Sequence, residues 1–461
     1  MSVTQSFDRL SRLLTRAVPG QGTESFQYSA RGLTNYTGPD AKVTRYVYDA
    51  AARKTSETTP QNETINYTYN PANDLLTLTD GRSKVTTWTY DIEGMVRTKR
   101  YHNQSFTNLE YSYDAHQRLA WRKFWSSTRQ NKQTLYSYDN AGNLTGIDYP
   151  ASPDVGFTYN EVNQVATMAT TGLGTTTFTY TDAGHPASES GLWAADTVTA
   201  SYHATAPGLR TGLTVQQPTG SWSQSYGYDA ARRLQTVTGP AGTFTYTHKG
   251  PGTVWTNLVV PTSPAAAITN VYDTGGRLTG TYLRNNAGTI LNQHVYLYNG
   301  YGQRQRQSLT DNSYTTYAYD NDAQLSSSLG YTSGGSPVAA EQLTFVYDPG
   351  WNMTNRSVNG APTTYTVNDL NQATGIAGLT ANYDANGNRI SQVYDANGPK
   401  TYTYTYDDEN QLLSVATDTY YTPAASRQSA PSQSASARLS NHSRGSRHSL
   451  PGSIGRSLTG G

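Results

Sequence analysis

The 461-residue chain carries a formal charge of +1, no cysteine, and a mean hydropathy of −0.66. That balance leaves no global field to draw in nucleic acid or a membrane surface, and the lack of cysteine excludes disulfides and thiolate metal sites. Thirty-seven tyrosines beside an apolar fraction of 35% argue against simple disorder and for sheets covered by amphipathic rings and hydroxyls.

Residues 1–20 contain no continuous apolar stretch, and no run of 18 apolar residues follows. Neither a signal peptide nor a membrane helix is expected. From Phe7 onward one unit recurs. Its anchors are Phe7, Tyr28, Tyr48, Tyr69, Tyr90, Tyr113, Tyr138, Tyr159, Tyr180, Tyr202, Tyr228, Tyr246, Tyr272, Tyr298, Tyr319, Tyr347, Val367, Tyr383 and Tyr406, 19 copies spaced 16 to 28 residues apart. The mean spacing, about 22 residues, marks a repeat array.

Each position in the unit has a physical reading. Most anchors follow another aromatic two residues earlier, as in Tyr111-Ser-Tyr113 and Trp88-Thr-Tyr90, and a two-residue period puts both rings on one face of a strand. Asp or Asn comes next, a residue that bonds the backbone two positions on and starts a turn. Four residues past the anchor, Gly or Asn fills 12 of the 19 copies, the types that accept a left-handed backbone at least cost. Asp first and Gly fourth predict a type I turn with a hairpin bulge. An Arg, Asn or Gln and then an apolar residue open the return strand. Asp80-Gly81, Gly239-Pro240 and Asn359-Gly360 mark turns at the unit's other end. One repeat is therefore a β-hairpin. The expected fold is all-β, about 19 hairpins or 38 strands over residues 1–420, wound into a large curled sheet or hollow spiral.

Within the array, Trp121, Lys123 and Trp125 are expected on one strand face and Arg122 and Phe124 on the other, as ordinary sheet packing. Asp384-Ala-Asn-Gly387 has the start of a calcium loop without its closing glutamate, so it reads as turn chemistry. His102, His116, His185, His203, His248 and His294 are scattered. No nucleotide, zinc-protease or nucleophile-elbow motif occurs. No catalytic, cofactor-binding or metal-binding residue is assigned, no cofactor is implied, and the chain reads as a non-enzyme.

Composition changes at the end. Residues 421–461 hold 11 serines and five arginines, no acid and one tyrosine. Too little apolar area remains there to offset ordering entropy, so a disordered basic tail is expected. Either it is a basic linker, or it reflects a shift of reading frame near codon 420.

The pattern Tyr272-Asp-Thr-Gly-Gly-Arg-Leu278, repeated from Phe7 to about Val415, resembles the YD repeat of bacterial Rhs, wall-associated and teneurin proteins. The resemblance implies a hollow β-shell that in bacterial members encloses a toxin or other polypeptide cargo. In wall-associated or teneurin-like members it implies adhesion to a cell-surface glycan or protein. It also implies an extracellular or cell-envelope location, with neither nucleic-acid binding nor a membrane span. The core motif at which Rhs toxins are cleaved has no counterpart here, since Asp348-Pro349-Gly350-Trp351 is the turn of one repeat. The chain thus reads as a fragment of a longer shell, or as a degenerate or frameshifted product.

Overall fold

A computed structural model describes residues 3–104, 107–124, 132–192, 195–217, 219–250, 254–260, 266–377, 379–394 and 400–418. The Ser/Arg-rich segment 421–461 lies outside them. The described residues form 38 strands and no helix, from Thr4–Phe7 to Leu412–Asp418. Every strand pairs antiparallel with its neighbour in sequence, making one continuous meander. The sheet is not closed, and Thr4–Phe7 and Leu412–Asp418 are its two edges.

The hairpin turns are built as the sequence predicts. Asp49 N donates to Arg53 O at 3.0 Å and Ala52 N donates back to Asp49 O at 3.1 Å, and the same pair of bonds recurs at Asp91, Asp139, Asp273 and Asp407. The fourth residue past the anchor has positive φ wherever the turn takes this form, including Gly142 at 88° and Gly276 at 83°. Ser11, Ala52, Gln117, Arg232, Ala323 and Trp351 hold the same conformation without being Gly or Asn, with φ between 60° and 66°. The closed ring of hydrogen bonds fixes that backbone whatever the side chain.

Three anchors depart from the pattern, and after the first of them, Tyr28, Ser29 pairs directly with Gly32. After Tyr202, His203 pairs directly with Ala206, and after Tyr246 a longer connection closes between Lys249 N and Val254 O.

No packed core lies between layers. Ala381 is the one buried hydrophobic side chain among the described residues. The ring-bearing face is half-buried, while residues just before the anchors, such as Val47, Val271, Leu297 and Val346, are exposed on the opposite face. On that second face, hydroxyls pair across several hairpins: Thr68 with Thr77, Thr89 with Thr98 and Thr158 with Thr167, each at 2.6 Å.

The strip winds on itself. The turn after the second strand meets the turn after the twenty-fifth, where Arg277 Nη2 donates to Gly20 O at 2.8 Å across 257 residues. The turn after the eighth strand meets those after the thirty-first and thirty-third, and the loop after the fourteenth meets the turn after the thirty-seventh. One revolution therefore takes 23 to 25 strands. At about 4.8 Å per strand the circumference is roughly 115 Å, a diameter near 37 Å between backbones.

Candidate functional site

The features that could carry function in such a strip are the chemistry repeated in every hairpin and the seam where windings meet. The repeated chemistry begins with the anchor hydroxyl. Tyr69 Oη donates to Lys54 O at 2.8 Å, Tyr90 to Leu75 O at 2.8 Å, and Tyr159 to Leu144 O at 2.6 Å. In each case the acceptor lies six residues past the preceding anchor. Tyr113, Tyr138, Tyr180, Tyr298, Tyr319, Tyr347 and Tyr406 do the same. The ring buries its face on the sheet and the hydroxyl stitches one hairpin to the one before it, which phenylalanine could not do. Burial pushes the phenols of Tyr69, Tyr90 and Tyr180 above the ordinary tyrosine range.

The Asp holds its own turn. Asp49 Oδ1 accepts from Ala51 N and Arg53 N, both at 2.9 Å, and Oδ2 accepts from Arg53 Nε at 2.7 Å. The backbone N–H of Arg53, followed by its guanidinium, holds the Asp49 carboxyl below the usual range. At Asp229 the Arg233 side chain is the first cause of the same shift.

The residue five past the anchor reaches forward. Arg53 Nη1 donates to Asn70 O at 2.8 Å in the next turn, and its guanidinium lies 5.0 Å from the centre of the Tyr69 ring. Arg12 over Tyr28, Arg118 over Tyr138 and Arg277 over Tyr298 repeat this stacking. Asn143 and Asn388 bond the next turn's asparagine instead. Each motif thus ties three consecutive hairpins together.

At the seam, the anchor-side turns of the second winding sit on the opposite-end turns of the first. Bases of one winding meet acids or carbonyls of the other. Lys42 Nζ donates to Asp320 O at 2.9 Å, and Arg82 donates to Asn368 O at 2.8 Å and Asn371 Oδ1 at 2.9 Å. Lys84 pairs with Asp369 at 2.7 Å, Arg82 with Asp348 at 3.3 Å, and Arg122 with Glu409. Asp408 Oδ2 accepts from Ala151 N at 2.9 Å and Ser152 N at 2.7 Å. Close approach needs glycine at Gly38, at Gly81 and at Gly275, where a Cβ would lie 2.9 Å from the carbonyl oxygen of Pro19. A Cβ on Gly38 would overlap the Tyr301 ring, and one on Gly81 would overlap the carbonyl oxygen of Pro349. Burial, with repulsion from Asp322, raises the Glu63 carboxyl above its usual range, and burial beside Asp40 raises the Tyr301 phenol.

The residues weighed in the sequence fall into this frame. Arg122 and Phe124 share a face, with the guanidinium 5.1 Å from the ring centre, and Arg122 is committed to the seam. Trp121 and Lys123 occupy the other face, opposite Ser112 and Glu110; Trp125 lies outside the described residues. Asp384 Oδ1 accepts from Asn386 N at 3.0 Å and Asn388 N at 2.9 Å, which is turn chemistry. The histidines are not brought together: His102 bonds Val85 N, His185 stacks on Tyr202, and His294 bonds Gln307. Among the described residues no three His, Asp or Glu side chains are grouped to hold a metal ion.

No protein-family model matches the sequence, and no curated protein is similar to it. Solved structures do share its architecture. The chain is similar to the structure of the Photorhabdus luminescens Tc holotoxin pore with the TccC3-D651A mutation, at a TM-score of 0.51 and 13% identity, covering 90% of this chain and 25% of that one. Crystal structures of TcdB2-TccC3-Cdc42 and TcdB2-TccC3 match at TM-scores of 0.49 and 0.48, with 13% and 14% identity over 90% and 91% of this chain. The chain spans about a quarter of the length of these proteins, 24% and 25% in the latter two. What it shares with the first is the fold, a curled antiparallel strip of the kind expected from the YD resemblance.

Proposed function

We propose that the chain is a non-enzymatic wall segment of an exported Rhs/YD-type shell, and that the shell's purpose is to enclose a polypeptide. The observation that carries this reading is the winding itself. A sheet of 38 strands spirals around an open interior instead of burying a core. Side chains on the concave side of a curled sheet converge, so the crowded ring-bearing face is assigned to the lumen and the hydroxyl face to the outside. Side chains take about 5 Å from each side of a cylinder near 37 Å across. The free bore, about 25 Å, admits a helix or an extended chain, whereas a folded 100-residue domain with a radius of gyration of about 13 Å would not fit.

The test is to append an unstructured reporter peptide after residue 461 and expose it to protease. Protection that disappears when urea unfolds the strip is the expected result. Cleavage at the free-peptide rate, together with binding of the chain to a glycan array, would favour a surface-adhesion role instead.

A further inference from the structure

We propose that the cleft between the turns at residues 91–95 and 114–118 is a binding site for an alkylguanidinium group, the end of an arginine side chain. The inference rests on the repeat chemistry and holds whatever the shell encloses.

The other repeats show what this position accepts. Arg53, five residues past its anchor, bonds the Asp49 carboxylate through Nε at 2.7 Å. Its Nη1 donates to Asn70 O at 2.8 Å and Asn73 Oδ1 at 3.1 Å, and the guanidinium stacks on the Tyr69 ring. Arg12, Arg118 and Arg277 likewise bond their own turn's Asp, a carbonyl of the next turn and the face of the next anchor.

The Tyr90 repeat has Met95 at this position, and the groups that receive a guanidinium elsewhere are all present around it. Asp91 Oδ1 accepts from Met95 N at 2.8 Å, but Oδ2, the partner of Nε in the arginine repeats, accepts nothing from the described residues. In the next turn Asp114 O corresponds to Asn70 O, and Gln117 to Asn73. The Tyr113 ring, fixed by its hydroxyl on Val96 O at 3.0 Å, corresponds to that of Tyr69. Between them lies a cleft of about 350 Å³, lined by these four residues with Glu93 and Met95.

Charge favours a cation there. Asp91 and the exposed Glu93 have no cationic partner among the described residues, whereas Arg118 holds the Asp114 carboxylate at 2.7 Å. The preceding gap between turns adds another acid, Asp74, where most repeats have a donor. Arg97 borders the cleft but is exposed and bonds none of these groups. A planar guanidinium can bridge Asp91 Oδ2 and Asp114 O while lying against the Tyr113 ring, which a point-charge ammonium cannot do.

The chain has four methionines, and the Met95 methyl reports on the cleft directly. In the full chain isotope-labelled at its methionine methyls, ethylguanidinium chloride should shift the Met95 resonance saturably, in the millimolar range. The Met168 and Met353 resonances should stay in place. Asp91→Asn, which gives the turn the residue of Asn70 and Asn160, should weaken binding at least about tenfold, the loss of a charge-assisted bond. Ethylammonium chloride should bind about fivefold more weakly than ethylguanidinium. An equal response to a capped Gly-Arg-Gly peptide would support the site with a polypeptide as the source of the group. A response to the small cation alone would support it with a free guanidinium compound as the source. Met95→Arg supplies the group from within the chain and should raise its urea midpoint. No saturable shift, the same shift with sodium chloride at equal ionic strength, equal binding of ethylammonium, or indifference to Asp91→Asn would each overturn the proposal. So would a midpoint for Met95→Arg at or below the parent's. Binding that appears only in Arg97→Ala would give the cleft to the chain's own Arg97 and overturn it as well.

Discussion

Residues 18–154 lie under a second winding, whereas Val155–Val260 do so nowhere among the described contacts, yet both stretches are the same hairpin strip. Their anchors make the same hydroxyl stitch: Tyr90 to Leu75 O in one, Tyr180 to Val165 O in the other. The difference is confined to the opposite-end turns. Two of those under the seam carry Lys42 and Arg82 with Lys84, and the turn at 18–22 docks Arg277 through the Gly20 carbonyl without a charge of its own; in the single-layer stretch, 170–174, 217–220 and 239–242 carry no charge and 191–197 carries Asp196. The repeat specifies how hairpins join sideways, and its variable opposite-end turns supply the contacts on which another winding rests.

That division can be broken most severely at Gly81. Its Cβ would run into backbone, which cannot swing aside, so Gly81→Ala is expected to cost about 1–3 kcal/mol. Gly208→Ala in the single-layer stretch meets nothing within 4 Å and should stay within about 0.5 kcal/mol. Urea midpoints of the two variants, read by circular dichroism, make the comparison. Arg82→Ala removes the bonds to Asn368, Asn371 and Asp348 for an expected loss of about 1–2 kcal/mol. Its signature is local: amide exchange should quicken at residues 368–372 and remain unchanged across Val165–Thr170.

The stitch should ignore the division altogether. Tyr159→Phe and Tyr347→Phe, one in each winding, are each expected to lose about 1 kcal/mol. A marked inequality in their unfolding midpoints would mean that the seam also supports the stitch. The mildest effect concerns pH. The Asp49 and Asp229 carboxyls are held below the ordinary aspartate range in the folded chain. Their contribution is therefore complete above about pH 4 and disappears as pH falls through the lower folded values. Asp229→Asn should flatten the acid limb of the stability profile in proportion to this one turn, as measured by thermal melts from pH 5 to pH 2.

The hairpins were legible because their signals are local. Tyr-x-Tyr fixes a strand face, and Asp followed by Gly or Asn fixes a turn, all within seven residues. Two things within that window were missed. The hydroxyl's target lies in the preceding repeat, so Tyr69 shows no partner in its own unit, and Arg53 looks like a solvated charge until Asn70 and Tyr69 are placed beside it. The seam was not legible at all. Lys84 and Asp369 stand 285 positions apart, and nothing in a single sequence marks them as neighbours. The left-handed conformation of Ala323 and Trp351 also escaped composition-based reading, because the ring of backbone bonds overrides the residue's own preference.

The separation across the seam has a consequence in time. Arg277 is made 257 residues after Gly20, and at about 5–20 residues per second the ribosome needs on the order of 10–50 s to supply it. For that interval the first winding must persist as a lone curved ribbon, held by contacts between adjacent hairpins. The tyrosine stitch acts within each pair of neighbours as soon as they emerge, so the ribbon can be shaped during synthesis, before any of its partners across the seam exists.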